Sequence, residues 1–130
     1  MKLVLDTHIW IHALLEPSKL SPAVRTALSA PESELMLSVV SIWETLTLAA
    51  KQRLLIEGNA TDWVTNRLRG SPVKVVALTQ EIMFAAHNLE LAHKDPADRW
   101  IVATARYHGA ALATADRLLI SAKPVDVMLM

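Results

Sequence analysis

The chain lacks cysteine altogether, and its 130 residues include only three glycines, one tyrosine and one phenylalanine. Without cysteine there is no disulfide, no thiolate-bound zinc and no thiol catalysis, which fits a reducing compartment. An excess of charge is also missing, because 13 Lys and Arg residues balance 13 Asp and Glu residues. No overall field therefore draws the chain to nucleic acid or to an anionic membrane, although a local basic rim remains compatible with this balance.

Long hydrophobic runs are absent too, since the longest apolar stretches fall well short of the ~18 residues that a membrane span needs. The first ten residues, MKLVLDTHIW, carry one lysine and a short apolar run broken by Asp6, which matches neither a signal peptide nor a transit peptide. Hydrophobic residues nevertheless make up 52% of the chain, enough to bury a core. We therefore expect a soluble, cytoplasmic protein with one compact domain over residues 1–130.

Short apolar runs alternate with amphipathic segments along the chain, and this alternation predicts an α/β fold with a mostly parallel sheet. The runs lack polar alternation, as expected of strands covered by helices on both faces. The predicted strands are Lys2–Leu5, Leu35–Val39, Val73–Ala77, Ala110–Ala113 and Pro124–Leu129.

Helical spacing predicts the segments between these strands. A helix over Thr7–Leu15 is followed by one over Pro22–Ala30 with Ser21 as its N-cap, and then by one from Ser41 to about Arg53. Further helices are predicted to begin at Thr61, at Thr79 and Gln80, and at Asp95-Pro96, with a short helical turn from Asp116. His87 and His93 are expected to lie on one long helix near solvent.

Acidic residues stand where the predicted strands give way to helices. Asp6 follows the first strand, Glu44 lies in the helical turn after the second, and Asp116 closes the turn after the fourth. Asp95 and Asp98 begin the helix before the fourth strand. Each has an ordinary structural explanation: Asp6, Asp95 and Asp116 as N-caps, Asp98 as a first-turn acid, and Ser41-x-x-Glu44 as a capping box.

Taken together, the acids favour a cation site. The carboxyl ends of parallel strands meet at one sheet edge, and clustered carboxylates repel one another unless a cation neutralises them. Mg²⁺ and Mn²⁺ prefer carboxylate and water oxygens together with substrate phosphate. Acids without a cysteine or a clear histidine ligand therefore indicate phosphodiester chemistry, in which a metal activates water.

Three segments in order resemble the PIN-domain ribonuclease toxins of the VapC type. The segments are MKLVLDTHIWIHAL, LSVVSIWET and HKDPADRWIVATARYHGAALATADRLL, the last carrying the D-P-x-D-R block of one bacterial branch. The resemblance spans Met1 to about Val127 and implies a three-layer α/β/α sandwich with a short parallel sheet. It also implies hydrolysis of RNA with Mg²⁺ or Mn²⁺, a homodimer, and inhibition by a small antitoxin protein.

The family's core acids correspond by resemblance to Asp6, Glu44, Asp98 and Asp116, which are the predicted catalytic and metal-binding residues. Supporting positions around them are assigned to Asp95, Thr7, Thr114 and Arg99. Arg99 is expected to pair with Asp95 four residues earlier, with a phosphate contact as the alternative. Two departures from the branch stand out: Ala97 replaces a bulky residue, and Gln52 stands where a glycine is frequent.

Other residues are open to functional and structural interpretations. His8 and His12 have one-turn spacing but no third nitrogen ligand, so surface or partner-facing positions are favoured over a metal site. The four tryptophans, Trp10, Trp43, Trp63 and Trp100, are expected mainly in the core or an interface rather than stacked on bases. Lys51, Arg53, Arg67 and Arg69 fit either an RNA-facing rim or a solvated helix surface.

Two rival functions remain at this point. A catalytically silent PIN-like module would bind RNA or protein without needing four carboxylates. A different α/β phosphate enzyme would need other motifs: a phospho-aspartyl phosphatase has D-x-D after its first strand, where this chain has Asp6-Thr7-His8. A receiver's acidic pair and late lysine are not seen, and neither glycine-rich nucleotide loop is present.

Overall fold

A central parallel sheet organises the computed structural model, which describes residues 1–129. Its strand order is β3-β2-β1-β4-β5, with every neighbouring pair parallel. The strands are β1 Lys2–Leu5, β2 Glu34–Ser38, β3 Lys74–Val76, β4 Ala111–Ala113 and β5 Met128–Leu129. The helices are α1 Thr7–Leu15, α2 Pro22–Ser29, α3 Val39–Ala50, α4 Ala60–Leu68, α5 Gln80–His87, α6 Pro96–Tyr107 and α7 Arg117–Ala122, with a 3₁₀ turn at Pro17–Lys19.

Helices cover both faces of the sheet, which confirms the predicted three-layer α/β/α architecture. Alternating side chains of β1 enter two separate cores, because successive residues of a strand point to opposite faces. Val4 joins the core formed with α5 and α6, whereas Leu3 and Leu5 join the core formed with α1, α2 and α4. Burial on both faces explains why the strands are continuous apolar runs.

The helix after β2 begins two residues earlier than predicted. Ser38, the last residue of β2, is the N-cap of α3, and its hydroxyl accepts a hydrogen bond from the Val40 amide at 3.2 Å. The predicted start at Ser41 and the Ser41–Glu44 capping box are therefore wrong, because Ser41 is buried inside the helix. Glu44 lies in the second turn, so its carboxylate is not engaged in capping. The helix also ends at Ala50 rather than near Arg53.

The N-cap of α4 was also misplaced. Asn59 is the cap, its side chain accepting from the Asp62 amide at 3.2 Å, while the predicted cap Thr61 lies inside the helix and donates to the Asn59 side chain. The predicted caps at Ser21, Asp95 and Asp116 are present in the structure, and Thr79, at a predicted helix start, caps α5. Asn is at least as good an N-cap as Thr, so residue type alone did not decide between Asn59 and Thr61 as the cap of α4.

The predicted long helix carrying His87 and His93 is wrong. Helix α5 ends at His87, and residues 88–95 form an irregular loop. Arg99 holds this region by donating to backbone carbonyl oxygens at 2.8–3.3 Å, namely those of Ala86, His87, Leu89, Leu91 and His93. The expected Arg99–Asp95 pair is wrong as well, because the guanidinium is occupied by these carbonyls. A guanidinium has five N–H donors, so one side chain satisfies a loop that has no regular hydrogen bonding.

The last strand is much shorter than the predicted Pro124–Leu129. Only Met128–Leu129 forms β5, and the Pro124 carbonyl accepts instead from the Arg106 side chain. Proline lacks an N–H and cannot donate to a ladder.

Gln52, which stands where the resemblance leads us to expect a glycine, has a φ of +58°. This left-handed conformation favours glycine, which explains in backbone terms why a glycine would be frequent at this position. Within residues 1–129, no helix has both the length and the apolar character needed to cross a bilayer.

Candidate active site

Asp6 lies at the carboxyl edge of the sheet, between the ends of β1 and β4. Its amide donates to the Ala113 carbonyl at 2.9 Å, and its side chain caps α1 by accepting from the Thr7 amide at 2.9 Å. The second carboxylate oxygen accepts from the Thr114 hydroxyl at 2.6 Å. Asp6 is only 4% exposed. Its carboxylate is therefore fixed by one donor at the start of α1 and by a second donor just after β4.

Thr7 connects this edge to the helix after β2. Its hydroxyl lies 2.5 Å from Glu44 Oε1 and 2.8 Å from the Ser41 hydroxyl. A hydroxyl has a single proton, so Thr7 donates to Glu44 and Ser41 donates to Thr7. Burial raises the pKa of Glu44, and the hydrogen bond from Thr7 lowers it. The negative charges of Asp6 and Asp95 raise it further. Thr7 therefore orients a carboxylate that the surrounding acids destabilise.

Asp98 lies in the first turn of α6 and is the most strongly perturbed acid of the group. Burial, and then three neighbouring carboxylates, raise its pKa to about 6. The carboxylates are Asp6, Asp95 and Asp116, and His93 opposes them. Asp95 itself caps α6 through the Ala97 amide at 3.0 Å, as predicted. The helix thus brings Asp98 within electrostatic reach of acids from β1 and β4.

Asp116 faces Asp98 from the other side. One oxygen of Asp116 caps α7 by accepting from the Leu118 and Leu119 amides at 2.9 and 3.3 Å. The other oxygen lies 3.7 Å from Nε2 of His93. Asp116 does not line the cleft that contains the remaining acids. The four predicted acids therefore form a chain of neighbours: Asp6 lies beside Glu44 and Asp98, and Asp98 lies beside Asp116.

A cleft of about 500 Å³ is lined by Asp6, Glu44 and Asp98. Lys51 and Arg53 line the same cleft, and Trp43, whose surface is 70% exposed, lies on its wall. Trp100 also lines the cleft. Of the four tryptophans expected mainly in the core or an interface, Trp10 and Trp63 are buried in the core, whereas Trp43 is exposed.

The remaining basic residues and histidines have less direct roles. Arg67 lies over the Trp63 ring, 5.3 Å from its centroid, and does not line the cleft. His8 Nε2 accepts from the Ala115 amide at 3.0 Å, while Nδ1 lies 3.6 Å from Asp6. His8 is therefore anchored at the acid edge, and the structure supports no ion shared with His12, whose ring meets it edge-on at 6.1 Å.

His93 is the residue that sequence reasoning missed. It was assigned to a helix near solvent, but its side chain is only 9% exposed and lies against Asp116. One atom each from His93, Asp98 and Asp116 fall within 4.8 Å of one another, a spacing that suits a metal ion. The sequence clue was its place in the H-K-D-P-A-D-R segment, immediately before two of the acids.

The donor set fits a divalent cation. Carboxylates from four parts of the chain share one region, and burial together with their mutual repulsion raises the pKa of Asp98 and Glu44. A cation held between them would remove that repulsion. The residues suited to hold it are Asp6, Glu44, Asp98 and Asp116, with Thr7 and Thr114 orienting the first two.

Comparison with known proteins identifies the family. The PIN-domain model matches residues 3–123. Over 128 residues, the chain is 33% identical to Ribonuclease VapC22 of Mycobacterium tuberculosis, covering 95% of this chain and 96% of that protein.

Solved structures agree in fold. A toxin-antitoxin complex from Klebsiella pneumoniae matches with a TM-score of 0.69 at 20% identity, covering 98% of this chain and 96% of the other. VapBC2 from Rickettsia felis, bound to a DNA fragment from its promoter, matches with a TM-score of 0.72 at 14% identity, covering 98% and 97%. With the family model spanning nearly the whole sequence and a curated relative of full length, the chain belongs to the PIN-domain family, among its VapC-type members.

Proposed function

We propose that this protein is a Mg²⁺-dependent endoribonuclease, with Mn²⁺ as an alternative metal, and the toxin of a type II toxin-antitoxin pair. The observation that carries the proposal is the group of mutually repelling carboxylates at one edge of the sheet, in which the pKa of Asp98 reaches about 6. PIN-domain nucleases depend on a metal, and the curated relative is a ribonuclease.

The proposed chemistry is hydrolysis of an RNA phosphodiester by water. A divalent cation, once bound, would activate that water and neutralise charge on the phosphate. The chain's own contribution is to hold the carboxylates in place beforehand. Thr114 and the Thr7 amide fix the two oxygens of Asp6, and the Thr7 hydroxyl fixes Glu44. No side chain forms a covalent bond to the substrate.

The walls of the cleft supply groups that suit RNA. Lys51 and Arg53 line the cleft and offer positive charge to a phosphate next to the scissile one. The exposed indole of Trp43 offers a stacking surface for an unpaired base. Lys51 and Arg53 thus place local positive charge in the cleft that the acids line, although the net charge of the chain is zero.

The biological role is inferred from relatives. Structures that share the fold include a toxin-antitoxin complex and VapBC assemblies. We infer that this chain likewise pairs with a small antitoxin protein, which inhibits it. We also propose that it forms a homodimer and acts on RNA in the cytoplasm.

The test is cleavage of an RNA pool by the purified chain, with Mg²⁺, with Mn²⁺ and with excess EDTA. We expect cleavage with either metal, none with EDTA, and products with the simple phosphate and hydroxyl ends of water attack. Products ending in a 2′,3′-cyclic phosphate would contradict attack by water. A catalytically silent RNA- or protein-binding module is the second candidate; it predicts no cleavage and no divalent-metal uptake in a calorimetric titration.

A further inference from the structure

His93 has a side chain that the nuclease chemistry described above does not use. It lies in the irregular loop between α5 and α6, and 91% of its side-chain surface is buried, the complement of its 9% exposure. Its Nε2 atom has no hydrogen-bond partner anywhere in residues 1–129. Buried polar atoms are almost always satisfied, so an unsatisfied one calls for a specific explanation.

The unsatisfied nitrogen lies beside a carboxylate. Nε2 of His93 lies 3.7 Å from Asp116 Oδ2, too far for a hydrogen bond. One ligand atom from each of His93, Asp98 and Asp116 also lies within 4.8 Å of the other two. Metal–ligand bonds of about 2.0–2.2 Å would bring three such atoms onto one ion after small side-chain adjustments.

The loop that carries His93 is held in this position by Arg99. The Arg99 guanidinium donates to the carbonyl of His93 itself at 3.0 Å, and to four other carbonyls from residues 86–91. Arg99 directly follows Asp98, so one turn of α6 supplies a carboxylate and fixes the backbone that presents the imidazole. Such preorganisation reduces the ordering cost of binding an ion.

We propose that His93, Asp98 and Asp116 form a cation position of mixed nitrogen and oxygen donors that prefers Mn²⁺ to Mg²⁺. Imidazole is a good ligand for first-row transition metals, whereas Mg²⁺ strongly favours oxygen. Neither His93 nor Asp116 lines the cleft that Asp6, Glu44 and Asp98 line, so the position is a second subsite of the acid group. It deepens the proposed nuclease function, with which it shares Asp98 and Asp116.

The experiment measures Mn²⁺ binding to the full chain without RNA. Pulsed electron paramagnetic resonance on Mn²⁺-loaded protein detects coupling to a ligating ¹⁴N, and calorimetry gives the affinities for Mn²⁺ and Mg²⁺. The variants are His93→Gln and the control His87→Gln, whose side chain is exposed at the end of α5. Circular dichroism in EDTA establishes that each variant is folded.

Wild type and His87→Gln are expected to show ¹⁴N coupling, and His93→Gln is expected to lose it. Mn²⁺ affinity should fall about tenfold or more in His93→Gln, by analogy with the 10–100-fold cost of losing groups around a metal, while Mg²⁺ affinity changes less than about twofold. Wild-type protein without ¹⁴N coupling would overturn the proposal, and this measurement needs no variant to fold. Coupling that persists in His93→Gln would overturn it too.

The outcome separates this proposal from the nuclease function. Wild type that cleaves RNA with Mg²⁺ but shows no ¹⁴N coupling leaves the nuclease standing and removes the histidine ligand. Wild type that shows the coupling but cleaves no RNA keeps the cation position and removes the nuclease.

Discussion

Replacing Asp98 by Asn should stabilise the protein in the absence of metal. The same substitution should remove most of the RNA cleavage that Mg²⁺ supports. Burial, and then the neighbouring acids, raise the pKa of the Asp98 carboxyl from the ordinary 3.8 to about 6. A rise in pKa from 3.8 to about 6 corresponds to a free-energy penalty of about 3 kcal/mol on the ionised form, before solvent screening is taken into account. Because the side chain is only half-buried, solvent screens the interaction, and we expect about 1–2 kcal/mol.

The pH dependence follows from the direction of this pKa. A carboxylate whose folded pKa lies above its unfolded pKa lowers stability once it must ionise. The penalty from Asp98 is absent below about pH 4, the unfolded pKa, and is fully present above about pH 6, the folded one. The stability gain of Asp98→Asn over wild type should therefore be near zero at pH 4 and reach its full value at pH 7.

The assay is urea denaturation in EDTA at the two pH values, followed by repetition with Mg²⁺. Asp98→Asn should unfold at higher urea in EDTA at pH 7, and it should gain less than wild type from added Mg²⁺, because a ligand that binds the native state stabilises it. RNA cleavage should fall by at least about 100-fold, since even groups that only support a metal ligand cost 10–100-fold.

The exposed Asp126→Asn variant is the matched control and should change neither stability nor activity. Lower stability of Asp98→Asn in EDTA at pH 7, with the control unchanged, would refute the idea that these acids repel one another in the free protein.

The remaining predictions concern residues around the acids. Thr114→Val removes the hydroxyl that donates to Asp6 at 2.6 Å and should lower cleavage about 10–100-fold, with about 1–2 kcal/mol lost in urea denaturation; unchanged cleavage would show that Asp6 needs no such support. Arg99→Lys cannot reproduce the five-donor fork and should cost about 2–3 kcal/mol, and an unchanged urea midpoint would mean that the loop stays ordered without it. The Lys51→Ala/Arg53→Ala double variant should raise KM for RNA about tenfold or more, since each phosphate contact adds to affinity. An unchanged KM and salt dependence would place the RNA elsewhere.

Features set by nearby residues were predictable from the sequence. Asp6, Asp95 and Asp116 are helix caps because a short acidic side chain before a helix has an immediate partner in the next amides. The apolar strand runs revealed a parallel sheet, and with it the edge where those acids meet.

Features set by distant contacts were not predictable. Glu44 looked like half of a capping box, yet its real partner is Thr7, 37 residues away. The conformation around His93 depends on Arg99 donating to carbonyls in a different segment, and no periodicity signals such contacts. The same holds for Asp116, whose neighbour in space is the His93 imidazole.

The most direct test of the account is cleavage of total RNA in Mg²⁺ by wild type and by Asp6→Asn, compared at equal concentrations of folded protein. The carboxylate of Asp6 is buried, held by two hydrogen bonds and adjacent to the other acids. We expect wild type to produce discrete fragments and Asp6→Asn to leave the RNA intact while keeping its circular dichroism spectrum. Full cleavage by Asp6→Asn in the same Mg²⁺ buffer would contradict a cation-dependent nuclease built on this residue.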